Sequence, residues 1–277
     1  MNDDATTTLA GRRGLEADDE PPRIRRGHRL RAVVRIVHAV VHALHGIAIV
    51  LLRFKTMDAA RRHALIQWWA RKMLRVMGIE LRVDGTAAGG EQIAPGTLLV
   101  ANHISWLDIM VVHAVCPQAR FVSKADVRHW PLVSRLADAA NTLYLERERK
   151  RDALRVVHLV AAALKNDEIV AVFPEGTTSD GRDVLPFHAN LLQAAISTGA
   201  PVQPIALRFS DTAAAVSPAV EYIGTTTLVQ SVWRVASGDG VCANVVLLAP
   251  RSGAQAERRE LAQALRADIA ALLRLPR

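Results

Sequence analysis

Short apolar runs alternate with longer amphipathic stretches along most of the chain. Runs with the length and composition of buried strands cover residues 79–84, 97–101, 119–123, 141–145, 168–173, 202–209 and 241–249. Stretches with helical periodicity cover residues 105–115, 150–165, 187–199 and 254–274. Strands that alternate with helices are typical of α/β proteins, because parallel strands need crossover connections. The pattern therefore predicts an α/β fold with a mostly parallel central sheet flanked by helices.

Three regions differ in composition. Residues 1–28 are polar, with an acidic stretch, and are predicted to be a disordered tail. Residues 29–78 hold two further helical stretches and are predicted to be a membrane-associating unit. Residues 79–277 hold the strand and helix alternation and are predicted to be one α/β domain.

The first of the two N-terminal helices has an apolar run, residues 36–52, enclosed by Arg35 and Arg53. A membrane-spanning helix needs about 20 apolar residues, so this run favours a helix that lies in the membrane interface. Steps of three and four residues place five polar side chains in one stripe: Arg31, Arg35, His38, His42 and His45. We expect the stripe to face water or lipid headgroups, with burial against the next helix as the alternative. No carboxylate or cysteine accompanies the histidines, so no metal site is expected.

The second N-terminal helix, residues 59–77, has Trp68 and Trp69 between basic residues. Interfacial tryptophans with basic neighbours are typical of a membrane surface. Basic residues also lie on both sides of residues 36–52, which removes the charge asymmetry of a spanning segment. We expect a monotopic protein on the cytoplasmic face of a bacterial inner membrane, with one N-terminal membrane helix as the alternative.

The chain is basic, with a formal net charge of +8 at pH 7. Nucleic acid, an anionic membrane surface and acidic small molecules are the partners that such a charge favours. Aromatic residues make up 4% of the chain, too few for a base-stacking platform, and no nucleic-acid-binding motif is present. We therefore expect a membrane and a phosphate-bearing substrate, and no nucleic acid. The two cysteines lie in apolar surroundings and are expected to be reduced.

Candidate chemistry begins where the strand 97–101 ends, at Asn102-His103, followed by Asp108. Ser105 and Asp108 have the spacing of a capping box, with Ser105 as N-cap of the next helix. His103 then lies in the turn and Asp108 in the first helical turn, where its carboxylate can accept from the imidazole. Such a pair is suited to general base catalysis, although a turn histidine beside a helix-capping aspartate is an equally simple interpretation.

A second candidate follows the strand 168–173 in the run Phe173-Pro-Glu-Gly-Thr-Thr-Ser179. Gly176 allows a ligand to approach the backbone, and the hydroxyl side chains add donors. Such a turn can bind a phosphate or a carbonyl oxygen under attack, and an ordinary Ser/Thr turn is the alternative.

Together these runs resemble the lysophospholipid acyltransferases, most closely the 1-acylglycerol-3-phosphate O-acyltransferases. Asn102, His103 and Asp108 match the family's first motif, and Phe173 to Ser179 match its third. The second motif is matched by Lys124 with Pro131, followed by Arg147, and the fourth by residues 202–207. After the third motif many members read Pro-Phe-Lys-x-Gly, whereas this chain has His188 at the lysine position. The acceptor headgroup is therefore left open.

The resemblance implies acyl transfer from acyl-CoA or acyl-carrier protein to the free hydroxyl of lysophosphatidic acid, giving phosphatidic acid. His103 would be the general base and Asp108 its orienting carboxylate. Acceptor binding would fall to five residues: Lys124, Arg147, Glu175, Gly176 and Thr177. No metal or cofactor is implied. The alternatives are a lyso-ornithine lipid or other lysolipid as acceptor, and a membrane lipid-binding protein without turnover.

Overall fold

The computed structural model describes residues 26–85, 93–124, 131–145 and 150–274. The strands are β1 (Ile79–Gly85), β2 (Leu98–Ala101), β3 (Arg120–Lys124), β4 (Leu143–Leu145), β5 (Val170–Val172), β6 (Pro201–Ser210), β7 (Val241–Leu247) and β8 (Arg251–Ser252). The helices are α1 (Arg26–Arg53), α2 (Ala59–Val76), α3 (Leu107–Val115), α4 (Pro131–Ala139), α5 (Lys150–Lys165), α6 (Leu192–Thr198), α7 (Leu228–Ser237) and α8 (Arg258–Arg274). A 3-10 turn, Phe54–Thr56, separates α1 from α2.

The strands form one sheet in the order β1-β7-β6-β2-β5-β3-β4, and β8 also pairs with β6. Strand pairs are parallel except where β6 meets β7 and β8. The predicted α/β fold with a mostly parallel sheet is confirmed. All seven predicted strands form, with small shifts at their ends.

Side chains along each central strand alternate between two hydrophobic cores, as the two-residue period of a strand requires. In β2, Leu99 and Ala101 face a core shared with α1, α2 and α3, whereas Leu98 and Val100 face a core shared with α5, α6 and α8. Both faces of β2 are therefore covered, which explains its uninterrupted apolar sequence.

Several elements differ from the sequence-based predictions. The helix predicted over 187–199 is shorter, because α6 begins at Leu192, and α8 begins at Arg258 rather than at 254. The helices α4 and α7 were not predicted. The helix α7 begins with a complete capping box, formed by Thr227 and Gln230. Its apolar residues also recur at helical spacing, so the sequence contained a usable signal for α7 that the sequence-based prediction overlooked.

The polar stripe of α1 is oriented differently from the expectation. Arg31 forms an ion pair with Asp239 at 2.8 Å, and Arg35 donates to the carbonyl oxygens of Ala236 and Gly238 at 3.0 and 2.8 Å. These carbonyls lie at the C-terminal end of α7, where a cation is favourable. The expectation of a fully solvated stripe is therefore wrong, because these arginines dock α1 onto the α/β domain. His38 and His45 are exposed as expected.

His42 is buried at the crossing of α1 and α2. Its Nε2 lies 3.0 Å from the Trp69 carbonyl oxygen, and the Trp69 indole nitrogen donates to the His42 carbonyl oxygen at 3.2 Å. The two rings stack, with centroids 5.4 Å apart. Burial lowers the pKa of His42, so the neutral ring is favoured at this crossing. Gly46 makes the close approach possible, because a Cβ there would lie 2.4 Å from the indole nitrogen of Trp69.

The outward side of α1 is mainly apolar, with His38 and His45 as exposed polar residues within it. Its exposed large side chains are Leu30, Val33, Val34, Val37, Val40, Val41, Leu44, Leu51 and Leu52. Within the described residues one helical stretch, His28–Thr56, is long and apolar enough to cross a membrane. The polar and apolar sides of α1 are thus inverted relative to a helix on the surface of a soluble protein.

We expect Gly46→Val to lower the free energy of unfolding by about 1–3 kcal/mol, because the added carbons meet the Trp69 ring. Thermal unfolding of the purified protein in detergent micelles measures this change. Ala48→Val is the matched control, since Ala48 is exposed on the same helix. Equal melting temperatures for the two variants would contradict the close helix crossing.

Candidate active site

The candidate residues meet at the carboxyl ends of two neighbouring strands. His103 follows β2, and Glu175 follows β5, which pairs with β2 in parallel. The chain leaves β2 for α3 on one face of the sheet and leaves β5 for α6 on the other. Connections that diverge in this way open a crevice at the strand ends, the usual ligand site of an open α/β sheet.

Asn102 fixes the point where the backbone leaves β2. Its side-chain amide donates to the Leu207 carbonyl oxygen at 2.9 Å and accepts from the Leu207 N–H at 2.8 Å. The buried Asn102 side chain thus binds both the N–H and the carbonyl of Leu207, two residues beyond Ile205, where the pairing of β2 with β6 ends. The sequence analysis gave Asn102 no role of its own, although an asparagine between a buried strand and a candidate base is a usable signal.

The His103 imidazole and the Asp108 carboxylate form a hydrogen-bonded pair. Nδ1 of His103 lies 2.7 Å from Oδ2 of Asp108, whose side chain is fully buried, while the histidine side chain is 20% exposed. An ionised carboxylate only accepts, so Nδ1 is the protonated nitrogen and Nε2 is left with a lone pair. A histidine held in this tautomer is suited to accept a proton at Nε2.

Asp108 also shapes the turn that holds His103. The same Oδ2 accepts from the backbone N–H groups of Ile104 and Ser105 at 2.7 and 2.9 Å. This is the return half of the predicted capping box. The other half is wrong: Trp106 is the N-cap of α3, and the buried Ser105 hydroxyl has no hydrogen-bond partner within the described residues. The simple interpretation of Asp108 as a capping residue is thus correct but incomplete, since the cap and the imidazole share one oxygen.

The turn after β5 holds the backbone of His103 from both sides. Oε1 of Glu175 accepts from the His103 N–H at 2.7 Å, and Oε2 accepts from the Leu185 N–H at 3.0 Å. Ser179 donates its backbone N–H to the His103 carbonyl oxygen at 2.8 Å. Phe173 stacks on the imidazole, with ring centroids 4.1 Å apart. The structure therefore brings the two predicted motifs into direct contact.

The predicted acceptor-binding residues of this turn differ in accessibility. Glu175 is 3% exposed, and its two oxygens bind backbone groups of the protein. Gly176 has φ +71, a backbone conformation that favours glycine, and a Cβ there would lie 3.2 Å from the His188 ring. Thr177 is exposed at the crevice end of β5. Arg147 lies outside the described residues, as does the side chain of Lys124.

The helix α7 reaches the site through a contact that the sequence analysis missed. The Trp106 indole nitrogen donates to the Ser231 hydroxyl at 3.0 Å, and Ser231 is fully buried. Because Arg35 of α1 binds the other end of α7, this helix links the N-terminal unit to the turn that bears His103. The segment that contains α7 had no assigned role, and only spatial proximity reveals one.

Comparison with known proteins identifies the family. The sequence profile described as Acyltransferase matches residues 86–208. The lyso-ornithine lipid O-acyltransferase of Pseudomonas aeruginosa is 33% identical over 73% of this chain and 75% of its own length. The 1-acyl-sn-glycerol-3-phosphate acyltransferase of Neisseria meningitidis is 31% identical over 76% of this chain and 82% of its own length.

The chain belongs to the lysophospholipid acyltransferase family.

The fold agrees with that family. The crystal structure of the 1-acyl-sn-glycerophosphate acyltransferase of Thermotoga maritima matches with a TM-score of 0.66 and 20% identity, covering 90% of this chain and 98% of that one. The family profile and the two relatives show that the protein is an O-acyltransferase, and the structural match shows that its fold is that of the family. Its apolar N-terminal helix and its membrane-lipid acyltransferase relatives indicate association with a membrane.

We expect Asp108→Asn to lower kcat by about 10³-fold or more, because an amide can present its NH₂ group to Nδ1 and favour the wrong tautomer. Steady-state acyl transfer measures kcat, and circular dichroism checks that the fold is retained. Asp268→Asn is the matched control: Asp268 lies on α8 and pairs with Arg251 of β8, which joins the start of β6 at the end of the sheet opposite His103. Equal kcat in the two variants would show that the imidazole does not depend on Asp108.

Proposed function

We propose that this acyltransferase transfers an acyl chain from acyl-CoA or acyl-carrier protein to the free hydroxyl of lysophosphatidic acid, giving phosphatidic acid. The observation that carries the proposal is the short bond between Nδ1 of His103 and the buried Asp108, which leaves Nε2 free to act as a base. The position of this pair at a crevice between diverging strand connections supports a substrate site there.

The proposed reaction needs only the residues of this pair for proton transfer. Nε2 of His103 takes the proton of the acceptor hydroxyl as its oxygen attacks the carbonyl carbon of the thioester. A carbon–oxygen bond forms and the carbon–sulfur bond breaks. Nε2 of His103 then gives the proton to the leaving sulfur, which departs as the thiol and leaves the neutral imidazole. Asp108 stabilises the imidazolium between these steps through its charge and its bond to Nδ1. No covalent acyl-enzyme, metal or cofactor takes part in this mechanism.

The acceptor phosphate is assigned to the basic residues of the second motif. Arg147 would bind it, since a guanidinium forms paired hydrogen bonds with phosphate oxygens, and Lys124 would add charge. Gly176 and Thr177 are placed at the acceptor as well, because Thr177 is exposed and Gly176 leaves room beside the His188 ring.

A second candidate acceptor is lyso-ornithine lipid. Relatives with this activity in their names include those of Pseudomonas aeruginosa, at 33% identity, and Rhizobium meliloti, at 37% identity over 56% of this chain. His188 stands where many family members have lysine. Its ring lies beside Gly176, since a Cβ added at Gly176 would be 3.2 Å from Cδ2 of His188. An imidazole offers a phosphate a weaker positive charge than a lysine ammonium does, which supports lyso-ornithine lipid as the second candidate.

The deciding experiment offers labelled acyl-CoA or labelled acyl-carrier protein, each with lysophosphatidic acid or lyso-ornithine lipid, to the wild-type protein and to His103→Ala. We expect acylation of lysophosphatidic acid to fall by about 10²–10⁴-fold in the variant, because the general base is lost. His38→Ala on the exposed side of α1 is the matched control.

Three other results would change the assignment. Acylation of lyso-ornithine lipid alone would retain the mechanism and replace the headgroup. Equal rates in wild type and His103→Ala would contradict the proposed base. Binding of lysolipid without transfer from either donor would favour a lipid-binding protein.

In the variant Arg147→Ala, we expect KM for lysophosphatidic acid to rise more than KM for lyso-ornithine lipid.

We also place α1 flat in the interface of the cytoplasmic leaflet of an inner membrane. The inward side of the helix is held by Arg31, Arg35 and His42, whereas its outward side presents exposed valines and leucines from Leu30 to Leu52. A helix docked along a folded domain is better suited to lie on a bilayer than to cross it, and its 28 residues extend for about 42 Å. The basic surface favours anionic lipid.

We expect Leu44→Asp to lower the fraction bound to anionic vesicles by at least about tenfold. The substitution removes a leucine side chain that the proposed placement buries in the bilayer, and it puts a charge there instead. Vesicle flotation measures the bound fraction. Leu154→Asp is the matched control, since Leu154 is 63% exposed on α5. Unchanged flotation of Leu44→Asp would contradict this placement, and protease protection of the chain near residue 55 would favour a spanning helix.

A further inference from the structure

We infer that Glu175 is a positioning residue, which holds the backbone of His103 in place and does not contact the acceptor. The inference rests on the proposed function, because it concerns the same base. It departs from the role that the family resemblance gives this glutamate, and the contacts of its two oxygens are the reason.

The Glu175 carboxylate is fully engaged inside the protein. Oε1 accepts from the His103 N–H at 2.7 Å and Oε2 from the Leu185 N–H at 3.0 Å. The residue is 3% exposed. A carboxylate bound in this way has little surface left for a ligand, while the loss of its two bonds leaves two partly buried backbone donors without these partners.

The rest of the same turn completes the hold on His103. The Ser179 N–H and hydroxyl lie 2.8 and 3.2 Å from the His103 carbonyl oxygen, and Phe173 stacks on the ring. One residue is thus bound at its N–H, its carbonyl and its imidazole face by a single loop. Catalytic geometry tolerates little error, since a displacement of about 1 Å costs on the order of 10²-fold in rate.

The electrostatics agree with a supporting role inside the protein. Burial raises the pKa of Glu175 to about 7, while the N–H groups of His103 and Leu185 oppose this rise. When His103 is protonated, its positive charge favours the ionised Glu175 carboxylate, whereas the negative charge of Asp108 disfavours it. An ionised carboxylate accepts both N–H bonds, whereas a protonated one has a hydroxyl facing one of the two donors.

The kinetic test uses Glu175→Gln and Glu175→Asp. We expect kcat to fall about 10- to 100-fold in both, with KM for the acceptor within about twofold of wild type, because the base is displaced while the acceptor site remains. Glu168→Gln is the matched control. Glu168 lies just before β5 and pairs with Arg120 at the amino ends of the strands, whereas Glu175 lies beyond the carboxyl end of β5. A raised KM with unchanged kcat would overturn the inference, because it identifies Glu175 as an acceptor ligand.

A second measurement does not depend on turnover. In ¹H–¹⁵N spectra of the protein in micelles, the Leu185 and His103 amides are expected to shift as the pH passes through about 7, which is the pKa of Glu175. In Glu175→Gln the Leu185 shift is expected to disappear. An unchanged Leu185 titration in the variant would contradict the contact.

The two measurements separate this inference from the proposed function. If the wild-type protein transfers no acyl chain but both amides titrate with Glu175, the proposed function fails and the backbone contact stands. If acyl transfer is found and Glu175→Gln affects only KM, the proposed function stands and the positioning role fails.

Discussion

The candidate site depends on one carboxylate oxygen, Oδ2 of Asp108. It accepts from the His103 imidazole and from two backbone N–H groups of the intervening turn, all within 2.9 Å. The burial of a charge is unfavourable unless it is compensated, and three N–H donors at the start of α3 provide that compensation. The same bonds that make the buried carboxylate tolerable fix the shape of the turn and the tautomer of the base. Stability and chemistry therefore have a common origin here.

A second constraint comes from the inverted arrangement of α1. Polar groups that would usually face solvent bind the C-terminal end of α7 and the carbonyl oxygen of Trp69, and valines and leucines face outward. An exposed apolar surface of this extent is unfavourable in water and favourable in lipid. The helix α7 lies between α1 and Trp106, so the apolar surface and the catalytic turn are parts of one packed unit.

The sequence predicts the sheet well because the central strands are buried on both faces and therefore mainly apolar, most clearly in β2. It also places His103 and Asp108 correctly, since their contact depends on five residues of local chain. The contact between His103 and Glu175 joins residues 72 positions apart, and no local pattern reveals it. The orientation of α1 is similarly hidden: the periodicity shows two sides, but which side docks depends on α2 and α7.

Two acidic residues flank His103, and their surroundings give them different roles. Asp108 binds the ring nitrogen and two N–H groups through one oxygen, whereas Glu175 divides its oxygens between two separate loops. In the first arrangement the negative charge of Asp108 lies beside the imidazole, where it stabilises the protonated ring. In the second, the two oxygens of Glu175 link the backbone of the turn after β2 to the backbone of the segment that contains Leu185. Carboxylates in one site often separate in this way, because each environment sets its own protonation and contacts. The contacts of Glu175 thus lie within the protein, whereas those of Asp108 reach the imidazole directly.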